Sequence, residues 1–224
     1  MQVWVVIPAF NEEKSIGRVV AEVKKYVPNI IVVNDGSRDK TAEVAREAGA
    51  EIVDHIINRG QGAALKTGFN YAFGRGAEII VTFDADGQFL PSEIPELIRP
   101  IAEGEADAVL GSRFITNNSK IPLIRKLVLK SAILFTRITT GLGLSDAHNG
   151  FRAFSRKAVE LIDLKQDRMA HASEILHEIK RLGLKYKEVP VTVRYTDYSM
   201  GKGQSSFNAL DILLELLIGK INNK

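Results

Sequence analysis

Two aspartates one residue apart follow an apolar, β-branched run of the sequence. The run 79–83 reads Ile-Ile-Val-Thr-Phe and leads directly into Asp84, Ala85 and Asp86. Residues two apart in extended chain face the same side, so the two carboxylates are expected to converge beyond the end of a strand. A divalent cation such as Mg²⁺ or Mn²⁺ would relieve their repulsion and give a diphosphate something to coordinate. An isolated Asp-x-Asp is otherwise a solvated acidic turn, and Gln88 is either a further oxygen ligand or uninvolved.

Amides and carboxylates also follow the first two predicted strands. Pro-Ala-Phe-Asn-Glu-Glu stands at 8–13, and Asn-Asp-Gly-Ser stands at 34–37. Open α/β sheets bind ligands at the carboxyl ends of their strands, where a carboxylate can accept hydrogen bonds from a base N–H or a ribose hydroxyl. A turn explains Asp-Gly-Ser equally well in isolation. Three strand ends bearing carboxylates together favour a nucleotide site.

Two other patterns resemble site motifs and fail on inspection. The segment 58–67 is not a phosphate loop, because Leu65 stands where the motif needs Gly. It predicts a Gly-rich turn opening a helix, whose free N–H groups or Lys66 could touch an anion. Glu174 and His177 form half of a di-iron pattern whose other half is missing. The histidines at 55 and 148 have no spaced partner, so no histidine is expected to be catalytic.

The elements that must position these residues alternate short β-branched runs with longer amphipathic ones. This rhythm is typical of a mostly parallel sheet with helices on both faces, and it predicts an α/β fold. At 224 residues the chain is long enough for one such domain with an appendage. Gly49, Gly74 and Gly104 stand where helices are expected to end. The predicted strands are 3–7, 30–33, 51–54, 79–83 and 108–110, and the predicted helices are 12–25, 40–48, 62–73 and 92–103.

The rhythm changes after Gly111, and the second half predicts a different set of elements. We divide the chain into a domain at 1–195, a mobile Gly/Ser-rich loop at 196–206 and a C-terminal amphipathic helix within 207–224. The predicted elements are a helix at 121–140, a strand at 151–154, helices at 156–162 and 170–182, a strand at 187–195 and a closing helix at 207–221.

The predicted helix 121–140 is amphipathic and basic. Such a helix can lie in a membrane interface with its cations toward lipid phosphates, or it can pack against the domain with a solvated basic edge. The helix 207–221 has a narrow polar stripe, which leaves apolar surface for a second subunit or for lipid. At about 100° per residue, Lys126, Lys130 and Arg137 are expected on one stripe of the first helix, with Leu134 and Ile138 on the opposite stripe.

Composition and charge exclude several classes of protein. The chain has 30 Lys and Arg against 27 Asp and Glu, a net charge of +3 that does not by itself argue for nucleic acid. The absence of Cys removes disulfide scaffolds, thiolate zinc sites and Cys nucleophiles. No run of about 20 apolar residues predicts a membrane-spanning helix, and the N-terminus lacks a basic region before its short apolar run. These features predict a cytoplasmic protein peripherally associated with the cytoplasmic membrane face.

Six short motifs follow one another along the chain. They are Pro8-Ala9-Phe10-Asn11-Glu12-Glu13, Val33-Asn34-Asp35-Gly36-Ser37, Asp84-Ala85-Asp86-Gly87, Gly111-Ser112-Arg113-Phe114, Asp146-x-x-Asn149-Gly150-Phe151-Arg152 and Glu188-Val189-Pro190-Val191. Together they resemble a family 2 glycosyltransferase, especially the dolichol-phosphate mannose synthase group, over about residues 2–195. The resemblance implies a GT-A fold, a nucleotide-sugar donor, a divalent cation (Mg²⁺ or Mn²⁺) and an inverting transfer of a hexose onto a polyprenyl or dolichyl phosphate.

The resemblance also implies roles for individual residues. Pro8, Ala9, Asn11, Glu12 and Asp35, together with Asp84 and Ala85, would bind the nucleotide. Asp84 and Asp86, with Gln88 nearby, would hold the metal. The implied catalytic groups are Asp86, Arg113 and Arg152, joined by an acceptor-side carboxylate that is either Asp146 or Glu174. The groups expected near the acceptor phosphate are Arg113, Lys126, Lys130, Ser131, Arg194 and Lys202.

The chemistry of the acceptor favours a phosphate over a sugar hydroxyl. A hydroxyl nucleophile asks for a positioned base, whereas a phosphate monoester with a second pKa of about 6 is already mostly dianionic at neutral pH. Two departures from the family pattern, Asn34 and Gln61, leave the donor open between GDP-mannose and UDP-glucose types. A sugar-nucleotidyltransferase and a non-catalytic nucleotide-binding module are the alternatives, although the first should carry a Gly-rich basic loop where 8–13 stands.

Overall fold

A computed structural model describes residues 1–116, 123–147 and 149–194, with 123–128 described as backbone only. In these residues seven strands form one mixed sheet that has helices on both faces. The elements, in chain order, are β1 (Val3–Ala9), α1 (Ile16–Val23), β2 (Asn29–Asn34), α2 (Thr41–Glu47), β3 (Glu51–Asp54), α3 (Gln61–Gly74), β4 (Ile79–Thr82), α4 (Ile94–Ala102), β5 (Ala108–Ser112), α5 (Leu123–Thr140), β6 (Arg152–Ser155), α6 (Arg156–Leu161), α7 (His171–Arg181) and β7 (Tyr186–Pro190).

The strand order is β3-β2-β1-β4-β6-β5-β7. Strand β6 is antiparallel to both of its neighbours, while the other pairs are parallel. The chain runs outward from β1 to β3 and then returns to place β4 on the other side of β1. The carboxyl ends of β1 and β4 therefore flank the point where strand order reverses, which is where open α/β sheets bind ligands.

The core forms two layers, one on each face of the sheet. Helices α1, α2 and α4 cover one face, where Val5, Ile7 and Val81 are fully buried. Helices α3, α5, α6 and α7 cover the other face with neighbours in the same strands, such as Val6 and Ile80. Continuously apolar strands thus supply both layers, as their sequence predicts.

Most predicted elements of the first half are present, with small differences at their ends. The helix predicted from residue 12 begins at Ile16, because the segment before it forms a turn. Gly49 and Gly104 follow their helices with φ of 95° and 74°, as expected. Gly74 is instead the last residue of α3, and the left-handed conformation lies at Gly76, with φ of 82°.

The second half departs further from expectation. Strand β7 ends at Pro190, and Val193 lies beyond it in an isolated bridge to Phe89. The proposed mobile loop 196–206, the helix 207–221 and Lys202 lie outside the described residues. In the residues that are described, no helix combines the length and apolar character that crossing a bilayer requires.

The expected division of α5 into a basic stripe and an opposite apolar stripe is wrong. Lys130, Leu134, Arg137 and Ile138 are all exposed. Their spacing of four, three and one places them within about 100° of one another on a helix, so they share one face. The opposite face is buried through Ile133, Thr136 and Thr140.

Candidate active site

Strand β4 ends at Thr82, and the paired aspartates follow one residue later. Burial, and next the charge of Asp86, raise the pKa of Asp84 to about 7, while Arg152 acts in the opposite direction. The side-chain amide of Gln61, at the start of α3, donates a hydrogen bond to Asp84 Oδ1 at 3.1 Å. Burial and the neighbouring Asp86 thus both disfavour the ionised form of Asp84.

The Asn149–Gly150 turn approaches Asp84 closely. A Cβ atom added to Gly150 would lie 2.9 Å from Asp84 Oδ2, inside van der Waals contact. Thr82 holds this turn in place, because its hydroxyl donates to the carbonyl of Gly150 at 2.5 Å and accepts from the N–H of Arg152 at 3.2 Å. Only a residue without a side chain leaves the Asp84 carboxylate where it is.

The residues at the end of β4 fit a divalent cation bound together with a ligand. Carboxylate oxygens are the donors that Mg²⁺ and Mn²⁺ prefer, and two of them leave coordination positions for diphosphate oxygens. Among residues 1–116, 123–147 and 149–194, no group of three or more His, Asp or Glu side chains could hold a metal ion. Oxygens of a bound diphosphate would therefore have to complete the coordination. The main-chain N–H of Gln88 donates to Asp86 Oδ1 at 2.9 Å, which orients that carboxylate.

The turns after β1 and β2 brace each other. Asn11 has a left-handed φ of 54°, and its N–H donates to Ser37 Oγ at 2.9 Å. The side-chain oxygen of Asn11 accepts from the N–H of Arg38 at 2.9 Å. The N–H of Glu12 donates to Thr41 Oγ1 at 2.8 Å. The predicted nucleotide-binding turns are therefore joined into one rigid unit.

Asp35 is buried and held by donors from the chain itself. The side chain of His55 lies with Nδ1 2.7 Å from Asp35 Oδ1, and Nδ1 is the donor because an ionised carboxylate only accepts. The N–H groups of Arg59 and Gly60 donate to the same carboxylate at 3.0 and 2.7 Å. On its other side the His55 ring meets Thr67 Oγ1 at 2.9 Å. Asp35 thus fixes the turn that leads into α3.

A cleft of about 480 Å³ opens beside this network. Polar residues that include Asn34 and His55 line it, together with the apolar residues Phe10, Ile56 and Ile57. Ile56 is 100% exposed and Ile57 is 68% exposed, which is unusual for large apolar side chains. Polar groups together with exposed apolar side chains suit a planar heterocycle that packs on one and forms hydrogen bonds to the other.

Arg113, at the end of β5, forms a buried ion pair. Its Nε donates to Asp146 Oδ2 at 2.6 Å, and its main-chain N–H donates to the same atom at 3.2 Å. Both side chains are at least nine-tenths buried. The phosphate role implied for Arg113 remains a prediction, and in this structure the guanidinium has an internal partner.

Arg152 is held by main-chain carbonyl groups. Its guanidinium donates to the carbonyl of Asn149 at 2.8 Å, of Ala147 at 3.2 Å and of Ala172 at 3.3 Å. Burial lowers the pKa of Arg152 to about 10, against the opposing charges of Asp146 and Asp84. The cation therefore lies close enough to both carboxylates to interact with them, and it joins Ala147 and Asn149 to the start of α7.

The acceptor-side carboxylate Glu174 binds main-chain groups too. It accepts from the N–H of Lys165 at 2.9 Å and of Gln166 at 3.0 Å. The segment it holds packs against the start of α3, where the N–H of Ala63 donates to the carbonyl of Asp167 at 3.0 Å. Glu174 therefore supports the turn that carries Gln61.

The sequence missed two residues that organise the site. His55 has no spaced partner in the sequence, yet it bonds to Asp35, 20 positions away. Glu188 stands in a motif to which the sequence gives no role, yet its carboxylate accepts from the N–H and hydroxyl of Ser145 and from the N–H of Asp146. A polar residue within a strand next to apolar ones was the available signal at Glu188.

The remaining predicted residues are scattered around these networks. Ala9 and Ala85 are buried and Pro8 is half-buried, so they contribute main chain more than side chain. Lys130 and Ser131 are exposed on α5, and Arg194 is exposed where its N–H donates to the carbonyl of Gln88 at 2.9 Å. The side chain of Lys126 and all of Lys202 lie outside the described residues.

Comparisons with known proteins identify the family of the chain. Residues 4–162 match the protein family described as Glycosyl transferase family 2. The chain is 34% identical to the UDP-N-acetylglucosamine–dolichyl-phosphate N-acetylglucosaminyltransferase of Methanococcus voltae, over 98% of this chain and 96% of the relative. It is 31% identical to the polyprenol monophosphomannose synthase of Mycolicibacterium smegmatis, over 90% of this chain and 80% of the relative.

A solved structure shows the same fold. The crystal structure of glucosyl-3-phosphoglycerate synthase from Mycobacterium tuberculosis with Mn²⁺, UDP and glucosyl-3-phosphoglycerate has a TM-score of 0.73 at 24% identity. The match covers 96% of this chain and 79% of that chain. It confirms the predicted GT-A type of α/β fold.

Proposed function

This chain belongs to glycosyl transferase family 2 and is a glycosyltransferase, and from that premise we propose that it transfers a hexose, with inversion, from a nucleotide-diphospho-sugar to the phosphate of a polyprenyl or dolichyl lipid. The relatives named above act on dolichyl phosphate or make polyprenol monophosphomannose. Their names support this class of acceptor and leave the donor open between GDP-mannose and UDP-sugar types.

The observation that carries the choice of acceptor is that both acceptor-side carboxylates are engaged internally. Asp146 accepts from Arg113, and Glu174 accepts from two main-chain N–H groups. A hydroxyl acceptor would require a base free to take its proton, whereas a lipid phosphate arrives already ionised. Buried cations at Arg113 and Arg152 suit the alignment of such an anion.

The proposed donor site runs from the cleft beside β1 and β2 to the end of β4. The nucleoside lies in the cleft against Phe10 and Ile57, and the diphosphate extends toward Asp84 and Asp86. These two aspartates would hold Mg²⁺ or Mn²⁺, which would supply charge stabilisation for the departing nucleoside diphosphate. Gln61 orients the Asp84 carboxylate through its amide.

Membrane attachment follows from the acceptor. A polyprenyl phosphate stays in the bilayer, so the acceptor half of the domain must approach the membrane surface. The exposed face of α5, with Lys130, Leu134, Arg137 and Ile138, combines the cations and apolar side chains that an interfacial helix uses. We place the enzyme peripherally on the cytoplasmic membrane face through this helix, and a homo-oligomer through 207–221 stays a prediction outside the described residues.

The proposed function is tested by measuring transfer of labelled sugar from each candidate donor to each of two acceptors. The purified chain is incubated with Mn²⁺ and radiolabelled GDP-mannose, UDP-glucose or UDP-N-acetylglucosamine, and with either a short polyprenyl phosphate or the matching polyprenol. We expect one donor to give labelled lipid with the phosphate and none with the alcohol. Equal transfer to the polyprenol would contradict the phosphate acceptor, and binding of every donor without any transfer would favour a non-catalytic module.

A further inference from the structure

We propose that Glu188 is a positioning residue for acceptor binding, which it supports by fixing the turn that carries Asp146 and thereby the orientation of Arg113. This inference rests on the proposed function, because it assigns Arg113 to the acceptor phosphate. Glu188 lies in β7, the strand at the edge of the sheet. The proposed role does not involve contact with Asp84 or Asp86.

The contacts of Glu188 converge on one turn. Its Oε1 accepts from the N–H of Ser145 at 2.9 Å, from the hydroxyl of Ser145 at 2.9 Å and from the N–H of Asp146 at 3.1 Å. Its Oε2 also lies 2.9 Å from the N–H of Ser145. Two successive main-chain N–H groups bound to one carboxylate fix the local chain direction, since each peptide plane is held by its own donor.

The end of β5 holds the same turn from the other side. Ser112 Oγ lies 2.6 Å from Ser145 Oγ, so the Ser145 hydroxyl is placed between Ser112 and Glu188. β7 pairs in parallel with β5, with Glu188 opposite Leu110 and two residues short of the position beside Ser112. Neighbouring strands thus supply both anchors of the turn.

The fixed position of this turn also fixes the Arg113 guanidinium. Asp146, whose N–H is fixed by Glu188, accepts the Arg113 Nε at 2.6 Å with its Oδ2. Arg113 follows Ser112 directly, so β5 holds its main chain and Asp146 holds its guanidinium. A displacement of the turn would move the guanidinium while Arg113 and Asp146 are both still present. A misplacement of about 1 Å can cost about 100-fold in rate.

Three substitutions separate positioning from charge and from folding. Glu188→Met removes every acceptor oxygen at similar length. Glu188→Gln keeps an oxygen at the Oε1 position, where all three donors converge. Glu188→Asp keeps the charge but shortens the side chain by one methylene group, which moves the carboxylate away from the N–H groups of Ser145 and Asp146. Lys187→Gln is the matched control, since Lys187 precedes Glu188 and its ammonium pairs with the exposed Glu105 at 2.5 Å.

The measurements are kcat and KM for a short polyprenyl phosphate, and the Kd of the nucleoside diphosphate with Mn²⁺. We expect Glu188→Met and Glu188→Asp to lower acceptor kcat/KM by about 100-fold, Glu188→Gln to recover to within about 10-fold of wild type, and donor Kd to stay within about 2-fold in all of them. Lys187→Gln should match wild type.

The outcomes distinguish this inference from the proposed function. If the wild type transfers no sugar to the lipid phosphate, the proposed function fails. If the wild type transfers and Glu188→Asp keeps full acceptor kcat/KM, the positioning role is wrong. A rise in donor Kd together with a loss of acceptor kcat/KM in Glu188→Asp would also overturn it, since that result indicates general damage to the fold. Should Glu188→Met not fold, the Asp and Gln variants decide alone.

Discussion

Asp84, after β4, opposes the stability of the metal-free chain at neutral and higher pH. Its pKa is raised from 3.8 to about 7 in the folded state, first by burial and next by the charge of Asp86, so the folded chain binds this proton more tightly. The favourable contribution is complete below the ordinary pKa and is lost as the pH rises through 7, because the ionised form is then desolvated beside a second carboxylate. Above pH 7 desolvation and repulsion together oppose folding until a cation binds.

Asp84→Asn should therefore stabilise the metal-free protein at pH 8 and not at pH 4. A pKa difference of one corresponds to about 1.4 kcal/mol, which sets an upper limit of about 4 kcal/mol on the gain at pH 8. Thermal unfolding in chelator at the two pH values measures it. Adding Mn²⁺ and nucleoside diphosphate should reverse the order, because wild type binds the cation and the variant loses a ligand. An Asp84→Asn protein less stable than wild type in chelator at pH 8 would contradict the stored repulsion.

Asp86→Asn should abolish most transfer while leaving the fold intact. The substitution removes one of the two charges that hold the cation, and we expect a loss of at least about 100-fold in kcat. Initial rates are compared at saturating Mn²⁺, with circular dichroism as the check on folding. Wild type should lose activity in chelator and regain it with Mn²⁺. Near-full activity of Asp86→Asn in chelator-treated buffer would exclude the metal role.

The pairing of β4 with β6 brings the Asn149–Gly150 turn onto Asp84, 66 positions away in sequence. Gly150→Ala should push the Asp84 carboxylate aside, because the new Cβ would lie 2.9 Å from it. We expect transfer to fall by about 10- to 100-fold with little change in Tm, since an aspartate side chain can rotate away. Gly143→Ala is the control: it lies in the same loop, and a Cβ there meets nothing within 4 Å. Equal activity of the two variants would show that the close approach is not needed.

The strands and the motifs at their ends could be predicted because both depend on local pattern. Runs of apolar residues identify β1, β2 and β4, and Asp84 and Asp86 stand directly after one of them. What joins Asp35 to His55 or Asp146 to Glu188 could not be predicted, since neither spacing nor composition encodes a contact across tens of residues. The prediction for α5 is wrong for a simpler reason, because the exposed face of this helix mixes cations with Leu134 and Ile138.

At the scale of the whole domain, the exposed face of α5 is the surface that we expect to contact a membrane. Leu134 is 60% exposed and Ile138 is 74% exposed on α5, beside Lys130. We expect binding to anionic liposomes that weakens with salt, because surface charges are screened within about 8 Å at physiological ionic strength. Lys130→Glu with Ile138→Gln should reduce the bound fraction in sedimentation, whereas Lys25→Glu, on the opposite layer after α1, should not. Identical binding of the two would remove α5 from the membrane contact.

The position of β6 also bears on how the chain is made. β6 lies between β4 and β5 although it follows both in sequence. On the ribosome, β1, β2 and β3 can pair as they emerge, but β4 and β5 must wait with an open apolar edge until residues 152–155 appear. Unpaired strand edges recruit other chains, so a nascent chain stalled before residue 152 is expected to be bound by chaperones or to aggregate. The step that pairs β6 with β4 also delivers Gly150 to Asp84, so the edge of β4 is closed and the close approach at Asp84 is made in the same event.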